Sequence, residues 1–248
     1  MKIIISPAKK MNVNTDLFET STPIFISETE KIKKTLQSLD GVSLQKLWGC
    51  GDAIARTNIA RLEGMDLHAN LTPAILSYEG LQYKHMGASV LSDIQLEYIE
   101  THLRILSGFY GVLKPLDGVV PYRLEMQARL KIEKEKDVYA FWGDKLAREI
   151  ESGKSETTII NLASKEYSKA VLPYFSKKAK VVTVTFCEDV KGKLAEKGTM
   201  CKMARGEMVS FMSENGVTSH EELKSFNRLG YEYSKENSTE ENIVFIKK

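Results

Sequence analysis

Lys202 and Arg205 stand three residues apart in Lys202-Met203-Ala204-Arg205-Gly206. On a helix that spacing puts both cations on one face, where together they can hold a phosphate. Three further segments mix small, acidic and basic residues in the same way: Ser6-Pro7-Ala8-Lys9, Tyr122-Arg123-Leu124-Glu125-Met126 and Asn161-Leu162-Ala163-Ser164-Lys165-Glu166-Tyr167. Each falls beside a predicted strand end, where functional groups collect. The expectation is a polar cleft, phosphate-binding or catalytic, built from Ser6, Lys9, Arg123, Glu125, Asn161, Ser164, Lys202 and Arg205. Glu125 and Glu166 have the chemistry of an acid and a base, and the competing reading is simple pairing with Arg123 and Lys165. Ser164 has no assigned base, and its surroundings do not match the Gly-x-Ser-x-Gly nucleophile turn.

A second motif is Leu47-Trp48-Gly49-Cys50-Gly51-Asp52-Ala53-Ile54-Ala55. The pattern hydrophobic-x-Gly-x-Gly-x-x-x-Ala resembles the helix-hairpin-helix motif of DNA repair and processing proteins. Two glycines permit backbone angles closed to other residues and let a phosphate come close. The free N–H groups opening the second helix carry the positive end of its dipole, which suits a phosphate and reads no base. The element is expected at about residues 43–63, with Lys46, Gly49, Gly51, Arg56 and Arg61 as the DNA-binding residues. The alternative is a tight turn between two packed helices, and Asp52 opposes an anion at the same place.

Other chemistries find little footing. His68, His85, His102 and His220 are scattered, with no pair spaced as helical metal ligands, so no metal site and no cofactor is expected. The phosphate loop, the dinucleotide fingerprint and the zinc-protease motif are absent. Trp142 has the shape of a base-stacking platform, but Phe141 and Leu146 beside it favour a core position.

These residues sit in a chain of 248, with 42% hydrophobic and 27% charged residues. That excludes a disordered or collagen-like chain and a disulfide-dense module. Thirty-five Lys+Arg against 33 Asp+Glu leave a net charge of +2, so any surface for a polyanion must be local. Residues 165–210 carry ten basic against five acidic side chains, a concentration of that kind. Cys50, Cys187 and Cys201 are too few and too far apart for a disulfide framework and read as free thiols. The opening MKIIISPAKK has too short an apolar run for a signal peptide, and no stretch reaches ~20 apolar residues. No membrane partner and a cytoplasmic location are therefore expected.

The elements that must position the cleft alternate without a strict rule. Strands are expected at Lys2–Ser6, Leu103–Leu106, Leu124–Ile132, Thr157–Leu162 and Val181–Phe186, with a closing pair at Tyr231–Tyr233 and Ile243–Ile246. Helices are expected from Ser27 to Leu39, after Ser43, after Gly51, from Ser92-Asp93 to His102, from Asp137 to Glu151 closed by Gly153, near Ser164, from Lys202 to Glu214, and from Ser219 to Phe226. Residues 7–26 and Tyr110–Tyr122 read as loops, and Asp189–Lys193 as a hairpin turn. The fold class is α+β: a mixed sheet surrounded by helices, one domain over residues 1–248.

Taken in order, several segments are more specific than any one alone. They are Ile4-Ile5-Ser6-Pro7-Ala8-Lys9, Leu106-Ser107-Gly108-Phe109-Tyr110-Gly111-Val112-Leu113-Lys114-Pro115-Leu116-Asp117, Pro121-Tyr122-Arg123-Leu124-Glu125-Met126, Phe141-Trp142-Gly143-Asp144, Asn161-Leu162-Ala163-Ser164, Ala204-Arg205-Gly206 and Phe226-Asn227. From residue 3 to about 246 the chain closely resembles the bacterial peroxide stress protein YaaA family. The resemblance implies a cytoplasmic protein of unusual mixed α/β architecture that helps cells survive hydrogen peroxide by restraining free iron and thus oxidative DNA damage. It also implies DNA binding through a helix-hairpin-helix element, matched by Gly49 and Gly51, and a positively charged cleft, matched by Lys9, Arg123, Lys202 and Arg205. One departure is Met200-Cys201-Lys202-Met203-Ala204-Arg205-Gly206, which has one Lys fewer than the family's Ala-Lys-Lys-Ala-Arg-Gly run. The expected function is sequence-independent DNA binding that limits peroxide damage. The rival is an enzyme acting on a small phosphate- or nucleotide-like substrate.

Overall fold

Ile3, Ile4 and Ile5 are completely buried, and their β-branched run has the signature of a strand covered on both faces. In the computed structural model, which describes residues 1–14, 19–151 and 157–248, this run is the centre of an eight-stranded mixed sheet. Its strands are β1 (Lys2–Ile5), β2 (Leu103–Ser107), β3 (Gly111–Leu113), β4 (Thr157–Asn161), β5 (Ala179–Val190), β6 (Lys193–Ala195), β7 (Tyr231–Tyr233) and β8 (Asn242–Lys247). Across the sheet they run β7-β8-β5-β4-β1-β2-β3, with β6 hairpinned onto β5. The five central strands, β8 to β2, are parallel, and β3, β6 and β7 are antiparallel additions. The arrangement is α+β, around one contiguous hydrophobic core.

β1 pairs with β2 on one side and β4 on the other, with Ile4 opposite both Arg104 and Asn161. The chain leaving β1 returns at β2, whereas the chain leaving β4 moves to β5. The loops therefore diverge at the carboxyl ends of β1 and β4 and open a crevice there.

Three helices follow in the long connection after β1: α1 (Ile26–Gln37), α2 (Gly41–Trp48) and α3 (Asp52–Glu63). The Asp40 carboxylate accepts from the Ser43 N–H at 2.9 Å and starts α2. Gly49 ends α2 in the left-handed region at φ 54°, a conformation that side chains disfavour. Further on, the helix Asp93–His102 carries the expected Ser92 cap, with Gln95 completing the box. The turn between β5 and β6 is made by Lys191 and Gly192, both at positive φ.

Several expectations need correction. The first helix begins at Ile26, so Ser27 lies inside its first turn and makes no cap bond. Residues Tyr110–Tyr122 are not merely loop: they hold β3, and Gly118–Val119 pairs with Thr72–Pro73. Within the expected loop 7–26, Lys10–Met11 pairs with Tyr78–Glu79, while residues 15–18 lie outside the described residues. Leu124–Ile132 forms no strand. Leu124, Met126, Ala128, Leu130 and Ile132 are buried in alternation as a strand would bury them, but a turn at Glu125–Ala128 takes the segment away from any ladder. The helix opened by Asp137 breaks at Gly143 and resumes at Lys145–Glu151, and Gly153 lies outside the described residues. Trp142 is fully buried, and its indole N–H donates to the Gly108 carbonyl. At Ser219–Phe226 there is only a 3-10 turn, Glu222–Ser225.

Candidate functional site

The loops leaving β1 and β4 meet through their serines. Ser6 Oγ accepts from the Ser164 N–H at 2.8 Å, and the two hydroxyls lie 3.1 Å apart. Beneath them Asn161, itself buried, accepts from the Ala163 N–H and donates to Thr183 Oγ1. It holds the turn after β4 without lining the crevice. Ser164 precedes the short helix Lys165–Ser168.

A cavity of about 420 Å³ opens beside the serine pair. Ser6, Lys9, Arg123, Glu125, Ser164, Lys202 and Arg205 all line it, together with Lys10, Glu79, Gln82, Tyr83, Tyr122, Glu166 and Tyr167. Seven of the eight expected cleft residues are thus brought together from four separate stretches of chain. Lys202 and Arg205 come from the helix Gly198–Glu214. Gly206 explains how that helix gets close enough. A methyl group there would sit 2.1 Å from the Gln82 carbonyl oxygen, so only glycine lets it press against the helix Leu81–Met86.

Charge in the cavity is partly neutralised. Glu125 Oε1 takes Arg123 at 3.0 Å and Lys9 at 3.2 Å, and Lys10 pairs with Glu79 at 2.8 Å. Arg205 reaches Glu196 at 3.5 Å. Desolvation raises the Glu166 carboxyl above the usual range, and the charge of Glu125 adds to this. The Gln127 N–H bonded to Glu166 acts in the opposite sense. Burial also raises the phenols of Tyr83, Tyr167 and Tyr122, the last to about 12, so all three are protonated at neutral pH. Tyr83 donates to the Ser6 carbonyl, and Tyr122 sits in a hydroxyl chain with Tyr78 and Ser107. Three buried N–H donors of lining residues have no acceptor among the described residues: Gln82 Nε2, Arg123 Nε and Arg205 Nε.

A second, shallower cavity of about 790 Å³ runs from this one to the turn between α2 and α3. The two share Lys9 and Glu125, and Lys46, Trp48, Gly49, Arg129 and Lys131 line the extension. Arg123 connects them physically, donating to the Trp48 carbonyl at 3.4 Å. Together the walls carry eight cations (Lys9, Lys10, Lys46, Arg123, Arg129, Lys131, Lys202, Arg205) against Glu79, Glu125 and Glu166. Lys46 and Gly49 therefore belong to this trough, Gly51 stands exposed at its end, and Arg56 and Arg61 are exposed on α3 and line neither cavity. At the turn, Gln45 Nε2 donates to Asp52 Oδ1 at 2.7 Å and to the Cys50 carbonyl, and no side chain caps α3.

Gln82, Lys10, Arg129 and Lys131 were not legible as site residues. Lys10 directly follows the Ser6–Lys9 segment and is held by Glu79, whereas the other three lie in segments with no motif and reach the trough only through the docking of Leu81–Met86 and the burial of Leu124–Ile132. No imidazole lines the first cavity, no cluster of three metal-binding side chains occurs among the described residues, and none of the described helices is long and apolar enough to cross a membrane.

The geometry is that of a parallel-centred mixed sheet with a cation-lined trough at its switch point. More particularly, the chain belongs to the family described as peroxide stress protein YaaA, whose model matches residues 1–237. It is 50% identical over 248 residues to a UPF0246 protein of Pediococcus pentosaceus, covering 100% of this chain and 98% of that one. A UPF0246 protein of Agathobacter rectalis is 49% identical, over 100% of this chain and 99% of its own length. One from Lactiplantibacillus plantarum is 44% identical, with 99% of each covered.

Proposed function

We propose that the chain acts in peroxide stress as a sequence-independent DNA-binding protein of the cytoplasm that limits oxidative damage to the strand it covers. The trough carries the reading: eight cations against three carboxylates, on a molecule whose net charge is only +2. Lys46, Arg129, Lys131 and Lys202 make no ion pair among the described residues, so they are free for phosphates. Read as a helix-hairpin-helix element, the turn between α2 and α3 would offer the uncapped N–H groups of α3 to a backbone phosphate at one end of the trough. Arg56 and Arg61 then serve the phosphates that continue past the trough. Such binding expels condensed counterions, ferrous ions included, from the covered backbone. That is a physical route from DNA binding to protection against iron and peroxide.

Anisotropy titration of a labelled duplex tests this. Affinity is expected to fall steeply from 50 to 200 mM salt, by about 10³-fold or more for ~6 phosphate contacts. Gly49→Asp with Gly51→Asp should weaken it further. No binding at low salt, or binding indifferent to that double change, rejects the reading.

The convergence of Ser6, Lys9, Arg123, Glu125, Ser164, Lys202 and Arg205 on the first cavity favours a second reading, an enzyme acting on a free phosphate- or nucleotide-like substrate. It predicts stabilisation by a member of a nucleotide panel in thermal shift, and it falls if none stabilises and Glu125→Gln leaves the cellular effect intact.

A further inference from the structure

Lys114-Pro115-Leu116-Asp117 belongs to the longest run that carries the family resemblance, yet it takes no part in the trough. It lines a third cavity, of about 150 Å³, that shares no residue with the other two. Four charged side chains meet there: Lys114 and Asp117 from that segment, Arg104 from β2, and Glu149 from the helix Lys145–Glu151.

The four do not neutralise one another. Ile105 lies opposite Leu113 across β2 and β3, and one residue further on that register sets Arg104 beside Lys114. Like charges so placed repel. Neither cation has a carboxylate as ion-pair partner among the described residues, and neither Asp117 nor Glu149 has a cation as one. Arg104 bonds only carbonyls, those of Glu100 and Leu103, both through Nη1. Its Nε and Nη2 make no hydrogen bond among the described residues, and unlike the Nε of Arg123 and Arg205 they are not sealed off. Asp117 accepts from the Ser21 hydroxyl at 2.7 Å and from the Lys114 N–H at 2.8 Å, which fixes the carboxylate without neutralising it. Desolvation accordingly pushes Asp117 up to about 6 and lowers Arg104. Glu100, whose charge acts on both, does not line the cavity, and its carboxylate accepts the Leu116 N–H.

An occupant must answer both signs. A simple anion suits Arg104 and Lys114 but confronts Asp117 and Glu149, and a simple cation meets the reverse. A molecule with a carboxylate and an ammonium on one carbon answers both at once. It also suits the space, which is about half the ~300 Å³ at the lower end of ordinary small-molecule sites. Ile24 and Val112 complete the wall with apolar surface for a short aliphatic side chain.

We propose that this cavity binds a free, small α-amino acid, with its carboxylate on Arg104 and Lys114 and its ammonium on Asp117 and Glu149. The site is separate from the trough, so it stands or falls independently of both readings given above.

NMR titration of the full chain at neutral pH with glycine, alanine, acetate and methylammonium tests this. Glycine or alanine should bind at least about tenfold tighter than acetate or methylammonium, because two charge contacts act through one molecule. Lys114 is exposed and Glu149 half-buried, so Lys114→Met and Glu149→Gln should leave the melting temperature unchanged. Each should weaken alanine about tenfold through loss of one charge-assisted contact. No binding of either amino acid, equal binding of acetate or methylammonium, or an alanine affinity untouched by both substitutions would overturn the proposal. The comparison of whole and half ligands uses the wild type alone, so it decides the matter even if a variant fails to fold.

Discussion

Cations line both the trough beside the hairpin turn and the inner cavity, but the two are finished to different degrees. At the turn, contacts are local: Gln45 holds the Cys50 carbonyl and Asp52, and the buried Trp48 indole N–H has no acceptor among the described residues. A methyl group at Gly49 or Gly51 would touch nothing within 4 Å. The cavity is the opposite. Ser6 and Ser164 bond across 158 residues of sequence, Gly206 is pressed against backbone, and three buried N–H groups of lining residues have no acceptor among the described residues. An exposed turn can guide a phosphate rail, because water satisfies it when empty. A cavity assembled from distant segments fixes its shape and lining, so it sets which ligands fit.

That contrast breaks first at its glycines. Gly206→Ala forces a methyl against the Gln82 carbonyl, and overpacking against backbone should cost about 3 kcal/mol. At ~2–4 °C per kcal/mol for a chain of this size, the melting temperature should fall by about 6–12 °C. Gly51→Ser is the control: Gly51 has an ordinary extended conformation and open space, and Ser is a good helix cap. Its melting temperature should hold or rise slightly. Equal losses at both glycines would erase the distinction.

Glu125→Gln should come next. It leaves the buried Arg123 guanidinium without its carboxylate, at about 1–3 kcal/mol in chemical denaturation. The same change removes an anion from the trough, so DNA affinity should rise as stability falls. Loss of both would mean that Glu125 holds the trough open.

Gly49→Ala should have a smaller effect, about 1–2 kcal/mol, because φ 54° disfavours a side chain even where space is free. Cavity-dependent readouts such as nucleotide-induced shifts should be unchanged.

The finest distinction is protonation. Asp40, at the start of α2, titrates below its ordinary value because the Ser43 N–H bonds its carboxylate. Its stabilisation is present above the unfolded pKa and disappears as pH falls through the lower folded value. Glu166, in the cavity, titrates above its ordinary value because it is desolvated. Between its unfolded and folded pKa the native state holds the extra proton, so its contribution improves as pH falls through that window. Carboxyl NMR titration should show the two midpoints displaced in opposite directions, and Glu166→Gln should reduce the rise in DNA affinity on mild acidification.

Legibility followed the range of the interaction. β1, β4, β5 and the closing strand pair were readable because β-branched runs declare themselves locally. α2 and α3 were readable from Gly49 and Gly51 between them, although α2 is capped by Asp40 and starts before the expected Ser43, and no side chain caps α3. Leu124–Ile132 misled because burial alternates with the period of a strand while a turn denies it a partner. In the site, Lys202 and Arg205 were visible through their helical spacing. Asn161 was recognised as polar at a strand end, but it supports the turn from below. Gln82 was invisible, since nothing in Glu79-Gly80-Leu81-Gln82-Tyr83 marks it until Gly206 brings the two helices together.

Residue types and short spacings by themselves determined the central strands, the Ser92 and Asp137 caps, the left-handed turn and the inventory of cations, because each depends on torsions and contacts within a few residues. Tertiary structure alone decided that those cations share one trough, that Glu125 neutralises two of them, and that Gln82 keeps an unmet donor. Those outcomes depend on which loops diverge at the centre of the sheet and how closely two distant helices pack, and no local sequence rule encodes either.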